Sequence, residues 1–499
     1  MHSPAFVRQR SGNGNGASRL PAFARPFAHF LHSNADLVDL GNKLALFALI
    51  LAYFAFCDLA QYMDSYPRVY SRDVFSFVML VILIFSFPSL QRGDGKLLGR
   101  EQTEEWKGWM QIGFVAYHYW HAGETYNMIR VFIAAYVWMT GFGHFSYFWL
   151  KEDYGLVRFV RMMFRLNFLV FFICILMNKS YMMSYICGMH TLWFVSVYLV
   201  MVVRSDLNKT HPWFLKAKLF VYFIVVLMLY DLPFSYSIFQ TVWAPFRFLL
   251  DYEKDKTVLW EWFFRTKLDH YATLVGMLSA YNYPHIEAFM HKIERLPKPN
   301  MWAVKVPTIG LVLVIFHYWW RNYMFMDKFE YNESHPYTSI FVVLGFIFLR
   351  NCSPTLRNYC LTMFAFTGRI TLETYISQFH VFLKHDAREI MSYIGPEYPL
   401  VNLLIGGAIF VLISDALLKI TQAVSRALLP NDRRVVLRNL GVIAVGMLVF
   451  YILGIILSRV LVVTAANGAN GIVAIGGLFA VVLAAVFAFL FSGRLLSRL

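Results

Sequence analysis

The chain has 499 residues, of which 58% are hydrophobic and only 15% are charged, and its mean hydropathy is +0.51. These values exclude a soluble globular domain and predict a polytopic membrane protein. The formal net charge of +15 comes from basic residues scattered among short loops between apolar runs. That distribution favours membrane orientation and contact with anionic membrane lipid over nucleic-acid binding.

The change in composition along the chain predicts two regions. Residues 1–40 are rich in Arg, Gly, Ser and Pro and have no sustained apolar core, so we expect a disordered basic N-terminal tail and no signal peptide. Residues 41–499 contain repeated apolar runs, the last at about 437–464 and 469–492. The predicted fold is all-α, an integral membrane helical bundle with about 11–14 transmembrane helices.

The stretch from Glu101 to Asn167 is apolar yet carries histidines, a glutamate and arginines, which a purely structural span would avoid. An ideal helix from Tyr117 places His118, His121 and Thr125 within roughly 60° of one another, with Glu124 beside them. The pattern therefore predicts a polar face on this helix.

A second helical stripe begins at Arg130 and ends at His144. The residues between them on this stripe are small, namely Ala134, Val137 and Gly141, so a neighbouring helix can approach closely. Arg130 and His144 are separated by about 21 Å along a helix. One stripe can therefore present polar groups near both membrane faces.

Several long runs resemble the membrane domain of the eukaryotic glycan O-acetyltransferases, which include plant reduced wall acetylation proteins and the sialate and fungal capsule O-acetyltransferases. The runs are EQTEEWKGWMQ, YNMIRVFIAAYVWMTGFGHFSYFW and FRLNF, with further similarity at GRITLETYISQFH. The resemblance implies O-acetylation of glycans or polysaccharides at the Golgi membrane, with acetyl-CoA as the donor.

Relatives in this family carry a lumenal esterase-like domain ahead of the membrane part, and its catalytic set has no room in a 40-residue tail. The resemblance therefore implies that the chain either completes the transfer itself or delivers acetyl to a separate lumenal SGNH/esterase-like acetyltransferase.

Arginines on the helix that leads into FRLNF are candidates for binding the cofactor. Arg158, Arg161 and Arg165 share one face, and guanidinium groups suit the phosphates of coenzyme A. The alternative is that they are interfacial anchors at lipid headgroups. Arg165 and Asn167 belong to the family-like run, which favours a functional role for them.

The segment GRITLETYISQFHVFLKH carries a second polar face, which comprises Arg369, Glu373, Ser377, His380 and Lys384. Arg369 and Glu373 are spaced i,i+4, as are Arg265 and Asp269 in FFRTKLDHY. In each pair we expect the two opposite charges to neutralise one another.

Acetyl transfer from a thioester to a hydroxyl needs a base or an acyl acceptor, a group that stabilises the oxyanion, and contacts to the nucleotide. His118, His144 and His380 are the candidates for base or acceptor. Glu124 or Glu373 would orient the histidine, and Arg130 would stabilise the oxyanion. The five cysteines have no CxxC spacing, so we expect no metal site.

The main alternative is a carrier that moves an acetyl donor into the lumen without covalent chemistry, with the same residues lining its path. A di-iron oxygenase is disfavoured because its dense histidine boxes are absent from the sequence. Of four glycosylation sequons, at Asn178, Asn208, Asn332 and Asn351, we expect Asn208 and Asn332 to be the better acceptors.

Overall fold

A computed structural model describes residues 35–59, 63–177, 180–245, 257–384 and 387–441, with isolated positions up to 452. Nearly all of these residues are helical. The helices are α1 Ala35–Leu59, α2 Arg72–Ser86, α3 Arg100–Trp120, α4 Tyr126–Lys151, α5 Leu156–Leu176, α6 Tyr185–Val202, α7 Leu207–Thr210, α8 Pro212–Tyr230, α9 Ser235–Trp243, α10 Val258–Lys267, α11 His270–Glu294, α12 Lys298–Tyr323, α13 Lys328–Asn351, α14 Pro354–Asn358, α15 Thr362–Arg369, α16 Thr371–Val381 and α17 Pro399–Leu428. The predicted all-α class is confirmed.

In the described part of the chain, eight helices are long and apolar enough to cross a membrane. Half of the span within Gly123–Lys151 is buried inside the protein, whereas only 6% of Arg72–Ser89 is buried. The α4 helix is therefore central, and α2 is peripheral. The predicted tail boundary at residue 40 falls inside α1, and the predicted run 469–492 lies outside the described residues.

Successive long helices run in opposite directions and so define two ends of the bundle. At the first, called the His380 end, α1, α3, α5 and α16 finish and α4 and α6 begin. At the second, called the Lys151 end, α4, α6 and α17 finish and α3 and α5 begin. The hydrogen bond from Arg161 Nε to the Leu429 carbonyl, 2.9 Å long, joins the start of α5 to the end of α17.

Each end also carries a small antiparallel sheet. At the His380 end, β1 (Ser65–Pro67) pairs with β5 (Glu389–Met391), which pairs with β4 (Leu383–Lys384). At the Lys151 end, β2 (Leu90–Arg92) pairs with β3 (Tyr359–Leu361). The sheets therefore connect helices that are distant in sequence.

Close helix contacts occur where glycines face one another. A Cβ added at Gly141 would lie 2.2 Å from the Thr273 carbonyl oxygen, and one at Gly276 would lie 2.2 Å from that of Trp138. The predicted close approach at the small residues of α4 is thus confirmed, with α11 as the neighbour. An even tighter contact joins α3 and α15, where a Cβ at Gly108 would lie 1.8 Å from the Phe364 carbonyl oxygen.

The contact between α3 and α15 predicts that Gly108→Ala strongly destabilises the protein. The added methyl meets backbone, which cannot move aside as a side chain can, so we expect a loss of about 3 kcal/mol, at the upper end for overpacking. The matched control is Gly143→Ala, because nothing lies within 4 Å of the added Cβ there. Thermal unfolding in detergent measures both variants, and equal midpoints for the two would contradict the prediction.

Candidate functional site

A pocket lies at the His380 end, between α1, α5, α16 and the segment that precedes α6. Its polar lining comes from four elements of the chain, and apolar side chains complete it. The lining residues are Asp58, Ile173, Cys174, Ser180, Met183, Ser184, Ile376, Phe379 and His380. It therefore combines a carboxylate, an imidazole and two hydroxyl groups among apolar walls.

His380 lies in the last turn of α16 and is buried. Its Nδ1 is 3.7 Å from Oδ2 of Asp58, and its ring packs 5.1 Å from the ring of Phe54, measured between centroids. Both ring neighbours come from α1. The carboxylate beside His380 is thus Asp58, and not the predicted Glu373, which lies two turns earlier, about 10 Å away along the helix.

Glu373 instead accepts two hydrogen bonds from Arg165 of α5, at 2.5 and 2.9 Å. The predicted pair between Arg369 and Glu373 is wrong. The helix is interrupted at Ile370, which ends α15 and precedes α16, so i,i+4 spacing no longer places the two side chains together. Arg369 is exposed, with its guanidinium 5.9 Å from the Phe366 ring centroid.

His118 lies near the end of α3 and packs its ring 5.7 Å from that of Phe379, a wall of the pocket. The predicted continuous helix from Tyr117 to Thr125 is wrong, because His121 adopts φ +54° and ends α3. A left-handed residue turns the chain sharply. His118 therefore neighbours the pocket, and the expected shared face with Thr125 does not form.

Glu124 is bound to Arg72, with 2.8 Å between Nη2 and Oε2. Its predicted role in orienting His118 is therefore not supported by the geometry. Nearby, partial burial and the charges of Arg68 and Lys328 lower the pKa of His121. This exposed histidine is thus kept neutral beside a basic surface.

A buried network surrounds Arg130. Its Nη2 donates to Oδ2 of Asp269 at 2.7 Å, and the other carboxylate oxygen lies 3.1 Å from His335 Nε2. The Tyr331 hydroxyl lies 2.9 Å from His335 Nδ1. If Nε2–H donates to the carboxylate, then Nδ1 accepts from the tyrosine. This network joins α4, α11 and α13.

The predicted pair between Arg265 and Asp269 does not form. The chain leaves helical geometry between α10 and α11, where Asp269 has φ −125° and ψ 20°. Arg265 instead donates from Nε to Glu261 at 2.8 Å. Asp269 is thereby free to pair with Arg130 across the bundle.

Asp231 forms a separate polar cluster just after α8. Its carboxylate accepts hydrogen bonds from the hydroxyls of Tyr271 and Tyr337, and His270 Nε2 lies 3.4 Å away. Burial would raise the pKa of Asp231, but these three partners lower it overall. Asp231 is thus an ionised carboxylate whose acceptor oxygens are engaged in fixing α11 and α13.

The other predicted site residues lie towards the Lys151 end. The Arg158 guanidinium stacks 4.0 Å from the Tyr147 ring centroid, and Arg161 donates to the Leu429 carbonyl. His144 packs its ring 4.8 Å from that of Phe194. Among the described residues, neither Arg158 nor Arg161 forms an ion pair with a carboxylate. Their positive charge is therefore available to a ligand.

Asn167 is occupied by internal contacts. Its amide nitrogen donates to the Met163 carbonyl and to Thr191 Oγ1 at 3.0 and 3.1 Å, and its oxygen accepts from Tyr181 at 2.6 Å. Asn167 thus shares no partner with the three arginines. The predicted arginine face runs along α5, with Arg158 nearest the Lys151 end and Arg165 deeper in the bundle.

Three of the predicted glycosylation sequons are inaccessible. Asn208, Asn332 and Asn351 are all buried, and Asn208 donates to the Met201 carbonyl at 2.8 Å. A buried amide cannot receive a bulky glycan, so the expectation for Asn208 and Asn332 is wrong. Asn178 lies outside the described residues.

Sequence reasoning missed Asp58, the two pocket serines and His335. Asp58 ends the apolar run of α1 in AYFAFCDLA, and an acidic residue at that position was a usable signal. Ser180, Ser184 and His335 carry no comparable pattern, because serines near helix ends and single histidines within helices are common.

The fold and this site together define an integral membrane protein of the multi-pass class with buried histidine, carboxylate and arginine groups. The profile of the family described as "10 TM Acyl Transferase domain found in Cas1p" matches residues 18–441. The chain belongs to this family, and it accordingly carries a multi-pass membrane domain of the acyltransferase type.

A relative from Danio rerio, named N-acetylneuraminate (7)9-O-acetyltransferase, is 32% identical over 442 residues. The match covers 86% of this chain and 55% of the relative, so the chain spans about half the length of that protein. No solved structure matches the chain.

Proposed function

We propose that this protein uses acetyl-CoA to O-acetylate hydroxyl groups of glycans or polysaccharides at the Golgi membrane. The observation that carries the proposal is the pocket at the end of α16, where His380 lies beside a carboxylate and two serine hydroxyls in a chain of acyltransferase type. The relative's name supports an O-acetyl product and a glycan acceptor.

The Lys151 end is the more basic end of the described structure. Its connections and helix termini include Arg92, Lys96, Arg100, Lys151, Arg158, Arg204, Lys209, Arg295, Lys298, Arg357, Arg433 and Arg434. Those at the His380 end include Arg68, Arg72, Arg265, Lys267, Arg321, Lys328, Lys384 and Arg388. Positive residues concentrate on the cytosolic side of membrane proteins, which supports a cytosolic Lys151 end and a lumenal pocket.

Because the donor is cytosolic, we assign donor binding to the Lys151 end. Arg158 and Arg161 lie one turn apart on α5, and both are near Tyr147. Their guanidinium groups match the phosphate oxygens of coenzyme A. Arg165 and Asn167 lie deeper on the same helix and would act beyond the phosphates, between the donor and the pocket.

Acetyl transfer itself is assigned to the pocket. A neutral histidine can take the proton of the acceptor hydroxyl, or it can accept the acetyl group and pass it on. His380 is the first candidate, His118 on the far side of Phe379 is the second, and His144 at the opposite end is the third. From Arg161 to Cys174 at the pocket, α5 extends about 20 Å, so the thioester end of the donor must reach across much of the bundle.

That separation also supports the rival function, a carrier that delivers an acetyl donor to a separate lumenal SGNH/esterase-like partner. The deciding experiment uses purified protein in vesicles with acetyl-labelled coenzyme A outside and an acceptor glycan inside. Thiol release with label on the glycan or on the protein supports the transferase. Label that enters as intact donor without thiol release would exclude the transferase and leave the carrier.

Donor binding predicts a selective effect of the two arginines. We expect Arg158→Ala and Arg161→Ala each to raise KM for acetyl-CoA by about tenfold, because each loses a charge-assisted hydrogen bond of about 1.5 kcal/mol. The matched control is Arg204→Ala, which removes an exposed arginine at the same end that pairs with Asp206. Steady-state kinetics of thiol release measure the effect. An equal rise in KM in all three variants would mean that the arginines act only through the net positive charge of this end, and not by contacting the donor.

A further inference from the structure

We propose that Asp58 is a positioning residue that holds His380 in the orientation and tautomer required for acetyl transfer. The inference rests on the proposed function and adds a residue that the sequence patterns did not single out. It concerns the carboxylate at the end of α1, whose Oδ2 lies 3.7 Å from Nδ1 of His380.

The geometry of α1 supports this role. Phe54 and Asp58 are spaced i,i+4, so both side chains project from the same helix face. Phe54 packs against the imidazole ring of His380 at 5.1 Å, and Asp58 Oδ2 lies 3.7 Å from its Nδ1. One helix therefore supplies both a wall for the ring and a charge for one of its nitrogens.

The state of His380 completes the argument. Its Nδ1 is buried and has no hydrogen-bond partner among the described residues, and a buried polar atom without a partner is costly. A shift of less than about 1 Å brings Nδ1–H within hydrogen-bonding distance of the carboxylate. This tautomer leaves the lone pair on Nε2, the nitrogen that can then accept a proton.

Among the residues that the structure describes, few other ionisable groups lie near the pocket. Cys174 of α5 lines it, Cys57 precedes Asp58 on α1, and Lys384 of β4 donates to the Met63 carbonyl at 2.7 Å. Glu373 on α16 is neutralised by Arg165, and on α17 Asp415 pairs with Lys419. Asp58 is thus the carboxylate placed to act on His380.

In the transfer step, His380 Nε2 takes the proton from the acceptor hydroxyl as the hydroxyl oxygen bonds to the acetyl carbonyl carbon. The carbon–sulfur bond then breaks, and the departing thiolate receives the proton from the imidazolium. The Asp58 carboxylate accepts from Nδ1–H and stabilises the imidazolium between these two proton transfers.

The test compares Asp58→Asn and Asp58→Glu with Asp39→Asn, a control on α1 whose carboxylate is exposed and pairs with Lys43. We expect Asp58→Asn to lower kcat by about 10–100-fold with little change in KM. The acid limb of its pH profile should move to lower pH, because the imidazolium has lost its counter-charge. Asp58→Glu should recover part of kcat, and the control should match wild type.

A second readout does not depend on acetyl transfer. Diethyl pyrocarbonate modifies neutral histidine, and mass spectrometry reports the rate at His380. We expect Asp58→Asn to speed this modification several-fold near pH 6. Unchanged modification and an unchanged pH profile would overturn the proposal, even if transferase activity is present. If no thiol release occurs in wild type, the proposed function fails, while the modification rates still decide whether Asp58 acts on His380. Failure of both Asn and Glu variants to fold would assign Asp58 a purely structural role.

Discussion

Replacement of His380 by alanine is expected to lower kcat for acetyl transfer by at least about 100-fold, the usual contribution of a positioned acid or base. His380 lies beside a carboxylate in the pocket, and it is the one histidine among the described residues that line the pocket. The measurement is thiol release from acetyl-CoA by purified protein in vesicles, normalised to the amount of folded protein.

The matched control is His285→Ala, since His285 is an exposed histidine on α11. It should retain wild-type activity. His118→Ala provides a second comparison, and we expect a smaller loss because His118 reaches the pocket through Phe379. A fully active His380→Ala protein would remove His380 from the mechanism and favour His118 as the base.

The second large effect is on stability. We expect Arg130→Ala to destabilise the protein by about 3–5 kcal/mol, because it leaves the Asp269 carboxylate buried without its cation. Arg130 and Asp269 are each only 2% exposed. Thermal unfolding in detergent should show a clear fall in the midpoint or a loss of folded protein.

The double variant Arg130→Met with Asp269→Asn tests the physical reason. It removes both charges and keeps an oxygen that can accept from His335 Nε2, so we expect much of the stability to return. Stability no better than that of Arg130→Ala would show that the ion pair is not the cause. The double variant also tests the predicted oxyanion role of Arg130. A folded but inactive protein supports that role, whereas normal kcat assigns Arg130 to the scaffold.

Helical periodicity correctly predicted which side chains share a face wherever the helix continued. From Arg130 to His144 the chain is one uninterrupted helix, so the stripe of small residues packs against a neighbouring helix as predicted, and the structure identifies that helix as α11. The same arithmetic failed at His121, Asp269 and Ile370 because the backbone leaves helical geometry at each of these residues. Side chains four positions apart then no longer share a face, and their expected ion pairs are replaced by others.

The sequence by itself determined the membrane class, the all-α fold and the set of polar residues to examine, because apolar composition and retained charges are local properties that a bilayer constrains strongly. Only the tertiary structure decided the partners. Arg130 pairs with Asp269, Arg165 with Glu373, and Asp58 lies beside His380. The residues of these three pairs are 139, 208 and 322 positions apart in the sequence. They lie together because a charge that is desolvated between packed helices is stable only beside an opposite charge.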